Sequence, residues 1–509
     1  NWTTPAFASM FTGLMPSRHR VTHRTRAIAP QLRTLAERFR AAGWLTHGVA
    51  YKAYLYNMGF EQGFDTWFNV PRAFVKGKEN VGRALSWLDR NHDRRFFLFL
   101  HLNDPHQPFN QPQPFDRKFN DIAALRALGM ELPVIYEPDG DVSGCARCTA
   151  NGRVVPRAKK LAHDLYDGEV AYTDALVGRV VAALKKHGIY DDTVVAFISD
   201  HGEVLWEHDG YFGHGGPRMP DELLHVPFVI KPAATDAPAG QRIAQQVSVM
   251  DLMPTLLGLA GVQGASADVQ GRNLTDLVQG TKTPPTGDKA ESRLVISETE
   301  GGKRHIVSVR GDGWKYILYI PRAAGAPLQQ ELFRLDTAAG EHRDVLQQHP
   351  DVAAERRRAA VRFLLANRAG TYLLVRAPKR AAYTVAVSDG GERPVNTLYP
   401  IFGRDLQQRA FSKARVFRGR AARRILLLAR VSEDNGAMRV TLNSPGAEPE
   451  TVSLAEPTPF AADGVDAFLQ QLGAGALLIR SEAAGAAPGE VTKMSADKRA
   501  VLKALGYIR

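Results

Sequence analysis

The stretch that most constrains this chain is an apolar run, Thr193 to Ile198, that ends in Ser199-Asp200-His201-Gly202-Glu203. A short continuous apolar run closed by turn residues reads as a buried strand of a parallel sheet. Its polar residues then fall at the strand's carboxyl end, where open α/β sheets build their sites. Asp200 and His201 offer a carboxylate and an imidazole to one divalent cation. An ordinary turn after a strand produces the same three letters, Asp-His-Gly, so the surrounding chain has to decide.

The surrounding chain alternates strand and helix. Gln31 to Ala42 reads as a helix closed by Gly43, and Trp44 to Ala50 as a strand. Val81 to Asn91 is a helix, Phe96 to Leu102 a continuous apolar strand, and Leu161 to His187 a long helix closed by Gly188. This alternation predicts an α/β fold with a mostly parallel central sheet and helices on both faces. Three of its strands end in polar residues: Tyr51-Lys52, Asn103-Asp104-Pro105-His106, and Asp200-His201. Residues 107 to 155 are rich in Pro, Asp and Gly and form an inserted loop. It holds the two cysteines, Cys145 and Cys148. Two thiols without a His pair do not make a structural zinc site. A local disulfide and an incidental loop pair both remain open, and the loop-like flanks argue against a redox centre.

Beyond the key strand, Val226 to Ile230 is a strand, Val247 to Leu259 a helix and 263 to 290 a polar loop. Leu294 to Glu298, His305 to Arg310 and Trp314 to Tyr319 follow at hairpin spacing, with Gly311-Asp312-Gly313 as a turn. Glu331 to Leu335 adds a strand and Val352 to Leu365 a helix, which gives a smaller antiparallel C-terminal subdomain. After Gly370 come short β-like runs at Tyr372 to Val375, Tyr383 to Val387, Arg424 to Val431 and Met438 to Leu442. Ala483 to Val491 is a Gly/Ala/Pro-rich tail, and Ser495 to Leu505 reads as a terminal helix capped by Ser495. The expected organisation is 1–290 catalytic α/β domain, 291–369 antiparallel subdomain, 370–485 β-rich appendage and 486–509 tail with a short helix.

At 509 residues the chain exceeds one ordinary domain, and 44% hydrophobic with 23% charged residues is typical of soluble globular proteins. The net charge is +12, much of it from scattered Arg clusters such as Arg356-Arg357-Arg358. Such clusters read as solvated faces, or as attraction to anionic substrates or membrane surfaces. No nucleic-acid module is present, so nucleic acid is not an expected partner. No run of about 18 apolar residues exists, so membrane association would need an upstream anchor. Oligomeric state leaves no readable signal.

The second informative stretch is the first one, Asn1-Trp2-Thr3-Thr4-Pro5-Ala6-Phe7-Ala8-Ser9-Met10-Phe11-Thr12-Gly13-Leu14-Met15-Pro16-Ser17-Arg18-His19. A hydroxyl residue sits before a Pro-started helix. A helix N-terminus stabilises an anion and lowers the pKa of a nucleophile placed there. Taken alone, Thr3 also reads as an N-cap.

With its surroundings, the stretch resembles the sulfatase family of the alkaline-phosphatase superfamily: a nucleophile, one residue, Pro, a short helix, then Thr-Gly-Leu and Pro. The resemblance extends in order through Leu35-Ala36-Glu37-Arg38, Gly59-Phe60-Glu61-Gln62-Gly63-Phe64-Asp65 and the strand Phe97 to Leu102 with Asp104-Pro105-His106. It continues through Tyr166 to Asp174, Asp200-His201-Gly202-Glu203, Phe212-Gly213-His214-Gly215, His225-Val226-Pro227-Phe228 and Asp251 to Leu257. It covers most of 1–365, and Leu502 to Tyr507 looks like a common family ending.

The resemblance implies a role for each matching residue. Asp200 and His201 would bind a divalent cation, with Thr3 as a further ligand and as nucleophile. His106 and His214 would flank the transferred group, stabilising its charge or protonating the leaving oxygen. Lys52 falls where related enzymes carry a substrate-binding Lys or Asn. The cation would be Ca, Mg, Mn or Zn: the family leans to Ca or Mg, and a carboxylate-plus-His set also suits Mn or Zn.

Two departures narrow the expectation. Sulfatases of the ordinary mechanism convert a Cys or Ser to formylglycine, within a motif that also carries an Arg. Here the residues are Thr3-Thr4-Pro5-Ala6-Phe7. Threonine gives no aldehyde hydrate, so the nucleophile resembles those of the superfamily's phosphatases, phosphodiesterases and phosphoethanolamine transferases. The family's first strand, with its acidic metal ligands, has no counterpart, and the chain reads as N-terminally truncated. The leading expectation is a metal-dependent hydrolase of a small-molecule, glycan or lipid anionic ester, with phosphate mono- or diesters ahead of sulfate esters. The alternatives are a true sulfuric ester hydrolase, a transferase moving a phospho-group to an envelope lipid or glycan, and an inactive anion-binding protein. The expected location is extracytoplasmic, periplasmic or secreted, with or without an upstream membrane anchor.

Overall fold

The expected first helix forms as α1 (Thr3–Thr12) in the computed structural model of the chain. The structure describes residues 1–367 apart from 24–25, 52–54, 56–57, 70–76, 130–134, 137–141, 144–146, 151–152, 209–210, 217, 234–239, 264–268, 282–292, 302–303, 322–328 and 339. Between 370 and 481 it describes the backbone of ten strands. The expected tail and terminal helix at 483–505, together with Lys52 and Cys145, lie outside the described residues. The described chain divides into two compact units at Arg293/Leu294.

In the first unit, α2 (Leu35–Ala41) starts later than the Gln31 to Ala42 expected. The reason is a capping box. Thr34 Oγ1 accepts from the Glu37 amide at 3.2 Å, and the Glu37 carboxylate accepts from the Thr34 amide at 2.8 Å. Strand β1 (Leu45–Ala50) lies between β2 (Thr66–Asn69) and β3 (Phe96–Leu100), parallel to both. Helix α3 (Gly77–Asn91) packs on β1, on β3 and against α4 (Pro156–Lys186). Val81 of α3 meets Tyr172 and Leu176 of α4 in a buried cluster.

Aromatic packing places α1. Phe7 and Phe11 meet Phe99 of β3 with ring centroids 5.7 and 4.9 Å apart. Phe60 and Phe64 complete this cluster. Phe7 also meets His101 at 4.8 Å, one residue past β3, so the first turn of α1 lies at that strand's carboxyl end.

The strand that opened the sequence argument is β4 (Val195–Ile198). It was expected within the parallel sheet. Instead it pairs antiparallel with β7 (Phe228–Lys231), Ile198 opposite Phe228. Among the described residues, β3 pairs only with β1 and β4 only with β7. Strands with one unpaired edge are covered on fewer sides. Phe197 is accordingly 39% and Val229 59% exposed, which corrects the expectation of a fully buried run. Between β4 and β7 lies a small hairpin, β5 (Val204–Leu205) with β6 (Phe212–Gly213). Its Leu205, Trp206 and Phe212 pack with Leu161 and Leu165 of α4 and with Phe109 and Cys148. The inserted loop therefore contributes to a core, and Cys148 is disulfide-bonded.

The expected helix from Val247 opens as a 3₁₀ turn, Val249–Asp251, capped by Ser248, and continues as α5 (Leu252–Leu259). Asp251 is fully buried. It accepts from the backbone of Ser248 and Arg272 at 2.8 and 2.7 Å, and from Arg293 Nη2 at 2.9 Å.

The second unit holds an antiparallel sheet in sequential order: β8 (Val295–Gly301), β9 (Arg304–Gly311), β10 (Trp314–Pro321) and β11 (Gln329–Arg334). Helix α6 (Pro350–Asn367) packs on β9 and β10. The expected turn forms with Asp312 and Gly313 at φ of 52° and 72°, the left-handed pair that a two-residue hairpin requires. From 370 to 481 the chain forms two five-stranded sheets. The four runs read from the sequence are among the ten strands; the other six are Thr397–Pro400, Gln407–Ala410, Arg415–Arg420, Glu450–Leu454, Thr458–Phe460 and Gly475–Ser481.

Candidate active site

Thr3 occupies the first helical position of α1, and Trp2 is the N-cap. The N-cap reading of Thr3 is thereby corrected: its hydroxyl has another use. Thr3 is 2% exposed, and its Oγ1 lies 3.3 Å from His201 Nε2. A group at this position also feels the positive end of the helix.

His201 Nδ1 lies 2.7 Å from the carbonyl of Gly202. A carbonyl only accepts, so Nδ1 carries the proton in the neutral ring and Nε2 presents a lone pair toward Thr3. Asp200 Oδ1 accepts from the His201 amide at 3.0 Å, and Oδ2 lies 3.5 Å from Nε2. One imidazole nitrogen, one carboxylate oxygen and one hydroxyl therefore converge, and this donor set fits a small divalent cation. The local field agrees. Tyr166 is pushed up to about 12, first by burial and then by the carboxylates of Glu203, Asp167, Asp200 and Glu207. Negative potential of this kind is what a cation would neutralise. Among the described residues, no third Asp, Glu, His or Cys joins Asp200 and His201 in a converging set.

His214 follows β6. Its Nδ1 lies 2.9 Å from Oε1 of Glu203, whose side chain is 4% exposed. The carboxylate fixes the proton on Nδ1 of the neutral ring and holds the imidazole in place, with Nε2 as its unprotonated nitrogen. The His214 ring stacks on His201 with centroids 4.2 Å apart and meets His106 edge-on at 4.8 Å. His106 Nδ1 in turn donates to the carbonyl of Gln107. The Gly215 amide donates to the carbonyl of Asn1 at 2.9 Å, which ties the chain before α1 to the segment carrying His214.

The structure thus brings together Thr3, Asp200, His201, His106 and His214, from stretches far apart in the chain, while Lys52 lies outside the described residues. Sequence reasoning quoted Glu203 without giving it a role, although a carboxylate directly after the metal-type motif was the available signal. Gly202 was also passed over. A Cβ there would stand 1.9 Å from the carbonyl oxygen of Glu222, and its own amide donates to the Leu223 carbonyl at 3.0 Å. Only glycine permits that approach.

The family model described as Sulfatase matches residues 1–262. Arylsulfatase K of Mus musculus is 26% identical over 302 residues, covering 56% of this chain and 52% of that protein. The multifunctional alkaline phosphatase superfamily protein PehA of Trinickia caryophylli is 29% identical over 225 residues, covering 40% of this chain and 41% of that protein. Among solved structures, the phosphonate monoester hydrolase SpPMH from Silicibacter pomeroyi matches with a TM-score of 0.56 at 19% identity, over 72% of this chain and 86% of its own. BT4656, solved in complex with D-glucosamine-2-N,6-O-disulfate, matches with a TM-score of 0.55 at 17% identity, over 71% and 88%. These structural likenesses speak for the fold. The chain spans about half the length of the arylsulfatase K proteins it matches.

Proposed function

The chain belongs to the sulfatase family, and from that premise we propose that it hydrolyses an anionic ester through Thr3, with phosphate mono- or diesters preferred over sulfate esters. The observation that carries this reading is the 3.3 Å approach of Thr3 Oγ1 to the unprotonated Nε2 of His201. Members of the family generally use a divalent metal. Asp200, His201 and Thr3 would hold it, where it lowers the pKa of the hydroxyl and offsets charge on the substrate oxygens.

The chain's own residues supply the rest. Thr3 Oγ1, its proton released to solvent, attacks phosphorus; the Oγ–P bond forms and the bond to the ester oxygen breaks. That oxygen takes a proton from His106 or from His214, which donates from Nε2 as an imidazolium held by Glu203 and keeps its other proton on Nδ1. The transferred group sits at the N-terminus of α1, where amide dipoles favour negative charge. Water then gives a proton back to the donating imidazole and attacks phosphorus, the Oγ–P bond breaks, and the Thr3 oxygen is regenerated as the nucleophile. The preference for phosphate follows from Thr3. A formylglycine hydrate has a second hydroxyl that expels sulfate, and threonine has none. The disulfide at Cys148 supports an oxidising, extracytoplasmic location.

Thr3→Ala tested against aryl phosphate, phosphodiester and aryl sulfate esters decides the assignment. All turnover is expected to vanish, and a quenched wild-type reaction is expected to carry phosphate on Thr3. Turnover that survives the substitution removes Thr3 as nucleophile.

A further inference from the structure

His106 sits on a loop that two carboxylates pin, one on each side. Upstream, Asp104 Oδ1 accepts from the amide of Gly77, the first residue of α3, at 3.0 Å. Downstream, Glu169 of α4 reaches across, and its Oε1 accepts from the Asn110 amide at 2.6 Å. Between these anchors the His106 amide donates to the Asn103 carbonyl at 2.9 Å and closes a turn. Further contacts seat the same loop on α4. Phe109 is fully buried among Leu161 and Leu165, and its ring meets Tyr166 edge-on with centroids 6.0 Å apart. Gln111 Nε2 donates to the Leu165 carbonyl at 3.2 Å. Gly168 makes room for this approach: a Cβ there would stand 2.3 Å from Gln111 Nε2 and 2.9 Å from the Phe115 carbonyl oxygen.

Glu169 is 2% exposed. Burying a carboxylate is costly unless hydrogen bonds satisfy it, and Leu or Met at this position would serve the helix equally well. The carboxylate therefore serves the loop, through a short charge-assisted bond to a backbone amide. Gly168 is a second concession of α4, because glycine weakens a helix interior. Both concessions act on the residues that follow His106. Only Gln107, Pro108 and Phe109 separate His106 from Asn110, so the anchored end leaves the imidazole little slack. It meets His214 edge-on at 4.8 Å. A side chain on a loop is placed as well as its supports allow.

We infer that Glu169 is a positioning residue for His106: through the Asn110 amide it holds the loop so that the imidazole stays against the transferred group. The inference rests on the role of His106 in the ester-hydrolase reading, and a double-mutant cycle on the full chain separates the two. The substrate is whichever aryl phosphate, phosphodiester or sulfate ester the wild type turns over. Glu169→Leu is expected to lower kcat about 10- to 100-fold, the cost of a small misplacement, with KM little changed. Glu169→Gln keeps an oxygen for the amide and is expected to recover most of the loss. In a His106→Ala background, Glu169→Leu is expected to cost about twofold or less, because residues that act as one unit do not add. Gly168→Ala favours the helix, presses the loop off α4 and leaves the carboxylate in place. It is expected to show the same pattern, a loss of kcat that disappears without His106, and it decides the question if Glu169→Leu does not fold. Wild-type kcat in both Glu169→Leu and Gly168→Ala, or losses of equal size with and without His106, overturns the inference and leaves the catalytic reading standing. If His106→Ala is itself as active as the wild type, the catalytic role of His106 fails and this inference fails with it.

Discussion

Glu203 Oε1 lies 2.9 Å from Nδ1 of His214, and the carboxylate is buried. An ionised carboxylate only accepts, so this contact sets the tautomer of His214 and steers its Nε2. Replacing Glu203 with Leu is expected to lower kcat roughly 10- to 100-fold, the usual cost of losing an orienting partner, with KM little changed. Glu203→Gln keeps an acceptor oxygen and is expected to recover part of the loss. Equal kcat in wild type and Glu203→Leu would contradict the assignment.

Metal removal tests the Asp200–His201 pair. Chelation is expected to abolish turnover and to lower the Tm of the wild type, because a ligand bound only to the native state stabilises it. Asp200→Asn and His201→Ala are expected to need far more added Mn or Ca for the same Tm gain. A Tm that ignores both chelator and metal would sink the cation reading.

Gly202→Ala has a structural prediction. The added carbon meets the Glu222 carbonyl at 1.9 Å, and that neighbour is backbone, not a flexible side chain. Relief requires the loop of Asp200 and His201 to shift. The expected cost is about 2 kcal/mol, together with lost activity, read by denaturant melts and by turnover on the same sample. A fully active, fully stable variant would show that the loop relaxes freely.

Four hydrogen bonds converge on the fully buried carboxylate of Asp251, from the amides of Ser248 and Arg272 and from Nη1 and Nη2 of Arg293, its cation. Asp251→Ala leaves Arg293 uncompensated and is expected to cost about 3–5 kcal/mol. Asp251 and Arg293 replaced together by apolar residues are expected to cost less than the single change. Chemical unfolding of both variants measures the difference.

His47 should shape acid stability. It is 7% exposed, stacked on Trp87 at 4.7 Å, and pushed down to about 4, mainly by burial. The folded state therefore holds the neutral ring, while the unfolded chain takes a proton near pH 6.5. Stability is fully present above pH 6.5 and is lost as pH falls toward 4, by up to about 3 kcal/mol. His47→Gln is expected to flatten the stability profile between pH 6.5 and 4. An unchanged slope would show that His47 is hydrated in the native state.

The fold was readable wherever the pattern was local. The period of α1 and α4, the apolar run of β3 and the Asp312-Gly313 turn needed only neighbouring residues. Boundaries slipped where a cap decided them, as Thr34 did for α2. The partner of β4 was misjudged because an apolar run is the same sequence whether its neighbour runs parallel or antiparallel.

By itself the sequence determined the residue types of the site: a hydroxyl before a helix, an Asp-His pair at a strand end, and two more imidazoles. Local periodicity places such groups at element ends without reference to the rest of the chain. Tertiary structure alone decided which atoms meet. Thr3 reaches His201 across 198 positions, the Gly202 carbonyl assigns the proton on His201, and Glu203 takes His214. A hydrogen bond is set by distance and direction in space, and folding brings those partners together from parts of the sequence that share no local pattern.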